Sequence, residues 1–154
     1  MAAAQVGLPL APARRVEFTV AGTPAPKGSK KHVGNGILVE SSKKAKPWEA
    51  VVSLAAAAAM AGRAPFGGPV RVIVDFYLAR PKGHYLRGQL RATAPRYCTS
   101  HGKGDGDKLT RCSWDGLIGI VIADDALIAL WGGGKFYSDD GRTGARIVVE
   151  ELRP

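Results

Sequence analysis

Four aspartates stand where their carboxylates could share one cation. Asp105 and Asp107 flank Gly106 just before a stretch of helical periodicity, and Asp124 and Asp125 follow that stretch. In an extended segment, side chains two apart point the same way, so the first two carboxylates can converge. The second pair comes within reach if the chain doubles back. With no paired His or Cys nearby, this is a hard oxygen set, suited to magnesium or manganese rather than zinc. A cation so held polarises a phosphoryl oxygen and acidifies a bound water, which is what phosphodiester hydrolysis needs. Arg111 lies four residues after Asp107. It can project from the same helical face, hold a phosphate and offset charge in a pentacovalent transition state. The same residues also read as ordinary turn and cap chemistry, and Arg111 with Asp115 as a surface ion pair.

The elements that must position these groups are legible in the hydropathy pattern. Val16, Phe18 and Val20 alternate with polar residues as a first strand, ended by Pro24 and Pro26. Ile37-Leu38-Val39 reads as a short strand closing a loose hairpin around Gly34-Asn35-Gly36. Ser41 or Ser42 can cap a helix that is firm from Pro47 and runs from Trp48 to about Ala61. Val70, Val72, Val74, Phe76 and Leu78 form the clearest strand. A second helix is expected over 108–119, with Leu109, Cys112, Ser113, Gly116, Leu117 and Ile120 on one stripe. Ala126 to Leu130 reads as a strand, Trp131 to Tyr137 as a segment interrupted by Gly132-Gly133-Gly134, and the stretch around Ile147–Glu151 as a last strand. This order predicts an α+β fold, a small mixed β-sheet with two α-helices packed on it. One domain over 1–154 is expected, with 1–14 as a disordered tail and 80–104 as a long loop.

A net charge of +9 on a chain this small favours a polyanionic partner, nucleic acid above all. The longest apolar run, around Ala55 to Ala61, is far short of a membrane span. Cys98 and Cys112 form no disulfide framework or CxxC pattern, and Met1 to Ala13 lacks the basic start of a signal peptide. A cytoplasmic protein is expected. Gly132-Gly133-Gly134-Lys135 lacks the ending of a phosphate-binding P-loop.

Four segments then resemble the RusA family of crossover-junction endodeoxyribonucleases, over about Val16 to Leu152. Gly22-Thr23-Pro24-Ala25-Pro26-Lys27-Gly28 resembles the family's G-x-P-x-P-K-G opening. Arg80-Pro81-Lys82-Gly83-His84-Tyr85 resembles its R-P-K-S-H-Y segment. Asp105-Gly106-Asp107-Lys108-Leu109 resembles D-x-D-N-L, and Ala123-Asp124-Asp125-Ala126 resembles the D-D-A-Q segment. The resemblance implies a RusA-like fold and a homodimer that binds four-way DNA junctions by shape. It implies symmetric nicking of two opposing strands with Mg2+ or Mn2+, in recombination and repair. It puts Asp105, Asp107 and Asp125 at the essential acidic positions and Arg111 at a functional lysine position, with Asp124 and Asp115 of second rank. Lys108 departs from the usual Asn, Arg111 from Lys and Leu127 from Gln. An Arg fork is not a lysine point charge.

DNA contact is expected from Lys27, Lys30 and Lys31, from Arg80, Lys82 and Lys103 in the basic 80–104 stretch, and from Lys108. Residues 80–104 carry no acidic side chain, and the segment is expected to order along DNA. Trp131 is a candidate for the subunit interface, and Trp114 for core or interface. Two other readings remain: a non-catalytic nucleic-acid-binding protein, with the aspartates as caps, and a general flap or single-strand nuclease.

Overall fold

The computed structural model describes residues 13–28, 30–40 and 43–153. The expected tail up to residue 12 and the Ser41 and Ser42 caps lie outside the described residues. Alternation of apolar residues builds a sheet with one apolar face. Strand β1 (Arg15–Ala21), β4 (Val70–Leu78), β7 (Ile128–Tyr137) and β8 (Gly144–Glu151) form four strands in the order β1-β8-β4-β7. β8 runs antiparallel to both β1 and β4, while β4 and β7 are parallel, so the sheet is mixed. Val16, Val20, Val72, Val74, Phe76, Ile147 and Val149 point to the same buried side. Two helices, α1 (Ala45–Met60) and α2 (Gly106–Leu117), complete the expected α+β architecture.

Helix α1 buries Trp48, Val52, Ala56 and Met60, one residue per turn. Its N-cap position is Lys44, which offers no side-chain cap, so the helix starts a turn earlier than Trp48. It ends where Ala61 turns left-handed ahead of Gly62. Helix α2 buries Leu109, Cys112, Ser113, Gly116 and Leu117, the stripe its sequence announces. The two helices approach closely at Gly116, where a Cβ would lie 2.7 Å from Val52 Cγ1 and 2.9 Å from the Glu49 carbonyl. A buried chain of bonds ties them. Trp48 Nε1 donates to Ser113 Oγ at 3.0 Å, and Ser113 Oγ donates to the Leu109 carbonyl at 3.0 Å. Trp48 is therefore a core residue that fixes α2 in place.

Two expectations are corrected. β7 is not interrupted at its three glycines: it runs through them in continuous register with β4. Gly133 is required there, because a Cβ would sit 1.9 Å from the Val74 carbonyl oxygen, at a backbone φ of +117°. The 80–104 stretch is also more than a loop. It contains a small hairpin, β5 (Tyr85–Leu86) with β6 (Gln89–Leu90), turned by Arg87 and Gly88, both at positive φ. Its later part lies along the outer edge of β7: Cys98 N donates to the Lys135 carbonyl and Tyr137 N to the Arg96 carbonyl. Near the N-terminus, β2 (Lys30–His32) and β3 (Leu38–Glu40) form the expected hairpin.

Candidate nuclease site

Helix α2 presents the first acidic pair. Asp105 occupies its N-cap position with extended backbone, yet its carboxylate makes no capping hydrogen bond. Asp107 lies in the first turn, where the helix dipole favours an anion. Asp105, Asp107 and Arg111 are exposed. Asp107 and Arg111 line one wall of a cleft of about 450 Å³ between α2 and β7. Trp131 through Lys135 form the other wall, and Val74 and Phe76 the floor. Lys135, which sequence reasoning left aside with the rejected P-loop, points into this region. Its Nζ donates to the Gly104 carbonyl at 3.0 Å, one residue before Asp105. The signal that could have found it was the alternation of β7, which puts Trp131, Gly133 and Lys135 on the side of α2.

The five acidic residues divide by what they touch. Asp115 pairs with Lys27, and Asp124 accepts a hydrogen bond from Ala126 N at 2.8 Å as the cap of a 3-10 turn, Asp125–Leu127. Both serve structure. Among the described residues, the side chains of Asp105, Asp107, Asp125 and Arg111 take part in no hydrogen bond or ion pair. The i, i+4 ion pair read for Arg111 and Asp115 is replaced by Lys27–Asp115.

The expected convergence of both acidic pairs does not occur within one chain. The residues just before Asp124 lie at the other end of α2: Val121 N donates to the Leu117 carbonyl, and Ala123 N to the carbonyl of Phe66. Ile128 pairs with Val70 at the start of β4, whereas Lys135, beside Gly104, pairs with Phe76. Six strand residues separate those positions, roughly 20 Å at a rise of about 3.3 Å per residue. Accordingly, no three His, Cys, Asp or Glu among the described residues are grouped to hold a metal ion. One chain alone therefore does not fit the three-carboxylate cation site that its sequence suggests.

The basic residues are equally divided. Lys27 N donates to the Lys108 carbonyl in the first turn of α2 and its side chain is engaged with Asp115 near the helix end, so Lys27 ties the 22–28 segment along the length of α2. Arg80 is turned inward, its side chain only 3% exposed. It donates to the carbonyls of Ser138 and Pro95 and to Asp139, and it lies over the Tyr137 ring. This corrects its assignment as a DNA contact: it holds the 80–104 segment to the end of β7. Lys82 is exposed, Lys103 and Lys108 are half-buried, and the side chains of Lys30 and Lys31 lie outside what the structure describes. Trp131 is 64% exposed and meets Trp114 edge-on at 5.9 Å.

A mixed sheet with helices on one face, and a groove where carboxylates stand beside Arg111 and Lys135, is an arrangement suited to a phosphate polyanion. Residues 20–150 match the family described as Endodeoxyribonuclease RusA, and the chain belongs to that family. Its members are endodeoxyribonucleases that act at Holliday junctions. Comparison with individually curated proteins gives no match. Among the described residues no helix is long and apolar enough to cross a membrane.

Proposed function

We propose that this chain resolves Holliday junctions as a cytoplasmic homodimer, nicking two opposing strands symmetrically in recombination and repair. The observation that carries this reading is the selective freedom of three acidic residues. Asp105, Asp107 and Asp125 keep unengaged carboxylates, while Asp115 and Asp124 are taken up by structure. Because one chain separates Asp125 from the other two, we assign the complete site to two copies, with Asp105 and Asp107 from one and Asp125 from its partner. A divalent cation, magnesium or manganese, matches the hard oxygen chemistry of that shared set. Arg111 and Lys135 border the groove and attract the scissile phosphate that free carboxylates would otherwise repel. A dimer with two-fold symmetry offers two equivalent sites to a four-way junction, which has matching pseudo-symmetry.

The test uses a synthetic four-way junction with magnesium. Asp107→Asn and Asp125→Asn should each bind the junction and fail to cut it. Co-expressed, the two variants form mixed dimers with one site intact, and nicking of one strand returns. Cleavage by Asp107→Asn alone would defeat the assignment. A mixture as inactive as its parents would place all three acids in one chain. Flap, duplex and single-stranded substrates should be cut poorly beside the junction.

A further inference from the structure

The two faces of β7 differ in chemistry. Lys135 turns toward α2 and the acidic cleft, and the next residue, Phe136, faces out on the side of the sheet away from the helices. Three rings meet on that open face. Phe136 stacks on Tyr77 with centroids 5.9 Å apart and meets Tyr97 at 5.6 Å. Gly134 makes room for the cluster, since a Cβ there would lie 3.1 Å from the Phe136 ring. The Arg96 guanidinium lies 5.6 Å from the Tyr97 and Phe136 rings alike. Backbone bonds fix the outermost ring: Cys98 N donates to the Lys135 carbonyl and Tyr137 N to the Arg96 carbonyl, so Tyr97 rides on the sheet edge. Yet Tyr97 is 60% exposed, and Arg96 is exposed beside it. Packing alone does not account for a rigidly held aromatic ring left mostly in water next to a cation.

Charge indicates what covers it. Tyr97 and Arg96 belong to the 80–104 segment, which has no acidic residue and exposes Lys82, Arg87 and Arg91 as well. Carboxylates at neighbouring positions are already neutralised. Asp75, two residues before Tyr77 on β4, pairs with Arg146 at 3.6 Å, and Asp139 pairs with Arg80 at 2.7 Å. Asp140 accepts from Ser138 and faces Arg142. An acidic peptide would use the cations and leave the ring face idle, whereas each nucleotide brings a flat ring and a phosphate together. Bases inside a duplex have no free face, so the nucleotide is an unpaired one. We propose that Tyr97, backed by Phe136 and Tyr77, stacks an unpaired nucleobase of a DNA strand while Arg96 takes the adjoining phosphate. The platform lies on the back of the strand whose front borders the acidic cleft, so it retains single-stranded DNA beside that cleft without entering the chemistry. Binding there needs neither magnesium nor Asp105, Asp107 and Asp125, and it stands or falls apart from the resolvase reading.

The test is fluorescence anisotropy of a short labelled oligothymidylate with the full chain, in the presence of a chelator so that nothing is cut. Tyr97→Ala should weaken binding roughly tenfold to a hundredfold, and Tyr97→Phe, which keeps the ring, should bind like wild type. Tyr97→Leu keeps apolar bulk on the sheet edge and should lose binding as the alanine does, which separates stacking from any loosening of the fold. An oligonucleotide of equal length made of abasic sites keeps the phosphates and lacks the rings. Wild type should bind it about as weakly as Tyr97→Ala binds oligothymidylate. Arg96→Ala should lower the salt slope by about one phosphate contact. Equal affinity of wild type and Tyr97→Leu for oligothymidylate overturns the proposal. So does equal affinity of wild type for the abasic and base-bearing strands, which would make the surface a phosphate track alone. Ring-dependent binding by a chain that cuts no junction supports the platform and counts against the resolvase reading alone.

Discussion

Alanine placed in turn at the three glycines of β7 should separate three physically different sites within one triplet. At Gly133 the new Cβ meets the Val74 carbonyl oxygen at 1.9 Å and its carbon at 2.6 Å, on a backbone with φ of +117°. Neither atom belongs to a flexible side chain, so β7 must draw away from β4. The strained backbone costs about 1–3 kcal/mol, and two disrupted ladder bonds add roughly 1 kcal/mol each. The expected loss is about 3–5 kcal/mol, a large share of a typical domain stability of roughly 5–15 kcal/mol. With a urea slope of about 2 kcal/mol/M, the unfolding midpoint falls by roughly 2 M. At Gly132 the nearest atom is Ile73 Cδ1 at 3.5 Å, an ordinary contact. Alanine there should be neutral, or stabilising by up to about 1 kcal/mol through the unfolded chain. At Gly134 the Phe136 ring lies 3.1 Å away and can tilt, so the loss should stay near or below about 1 kcal/mol. Urea titrations followed by tryptophan fluorescence rank the three. Equal midpoints for Gly133→Ala and Gly132→Ala would refute the reasoning, since the close approach of β4 and the positive φ belong to Gly133 and not to Gly132.

Other consequences can be checked independently. Arg80→Ala removes the donor to Ser138, Pro95 and Asp139, so limited proteolysis should cut within 80–104 much faster, and Arg80→Lys should protect only partly because it lacks the fork. Lys135→Ala should weaken junction binding and flatten its salt dependence by about one phosphate contact, at a stability cost of roughly 1 kcal/mol from the lost bond to the Gly104 carbonyl. Hydrogen bonds from Arg15 and Arg146 hold the Glu17 carboxyl below its ordinary value of 4.5. A depressed carboxyl adds stability above its unfolded pKa, and that stability is lost as pH falls through the folded value. Thermal melts should therefore show wild type ahead of Glu17→Gln at pH 7, with the gap closing below about pH 4.5.

Both helices, the bounds of β4 and the apolar stripe of α2 were legible because each is a local period set by burial on one side. The continuity of β7 was not. Three consecutive glycines carry no hydropathy signal, and the reason for the second is a carbonyl of a strand more than fifty residues away in sequence. Arg80 was misread for a related reason: a cation in a basic segment looks solvated until its carbonyl partners from 95 and 138 are in place. In the acidic set, residue types and order were visible and the span between them was not. The spacing of Asp107 and Asp125 says nothing about α2 running the length of β4 between them. Lys135 was missed because its neighbours were compared with a phosphate loop and not with the strand they form.

The position of β8 bears on how this molecule can come into being. It lies between β1 and β4, yet it is the last of the strands in the chain. Val16 therefore meets its cross-strand partner only when Val149 has been made, and Val72 waits for the same residue. A ribosome can release both helices and three of the four main strands while the sheet still has a gap through its middle. Closure depends on contacts between opposite ends of the sequence, which form slowly and leave apolar edges open meanwhile. Chaperone demand during synthesis should be high, and truncation before Gly144 should yield aggregated material in place of a smaller folded protein.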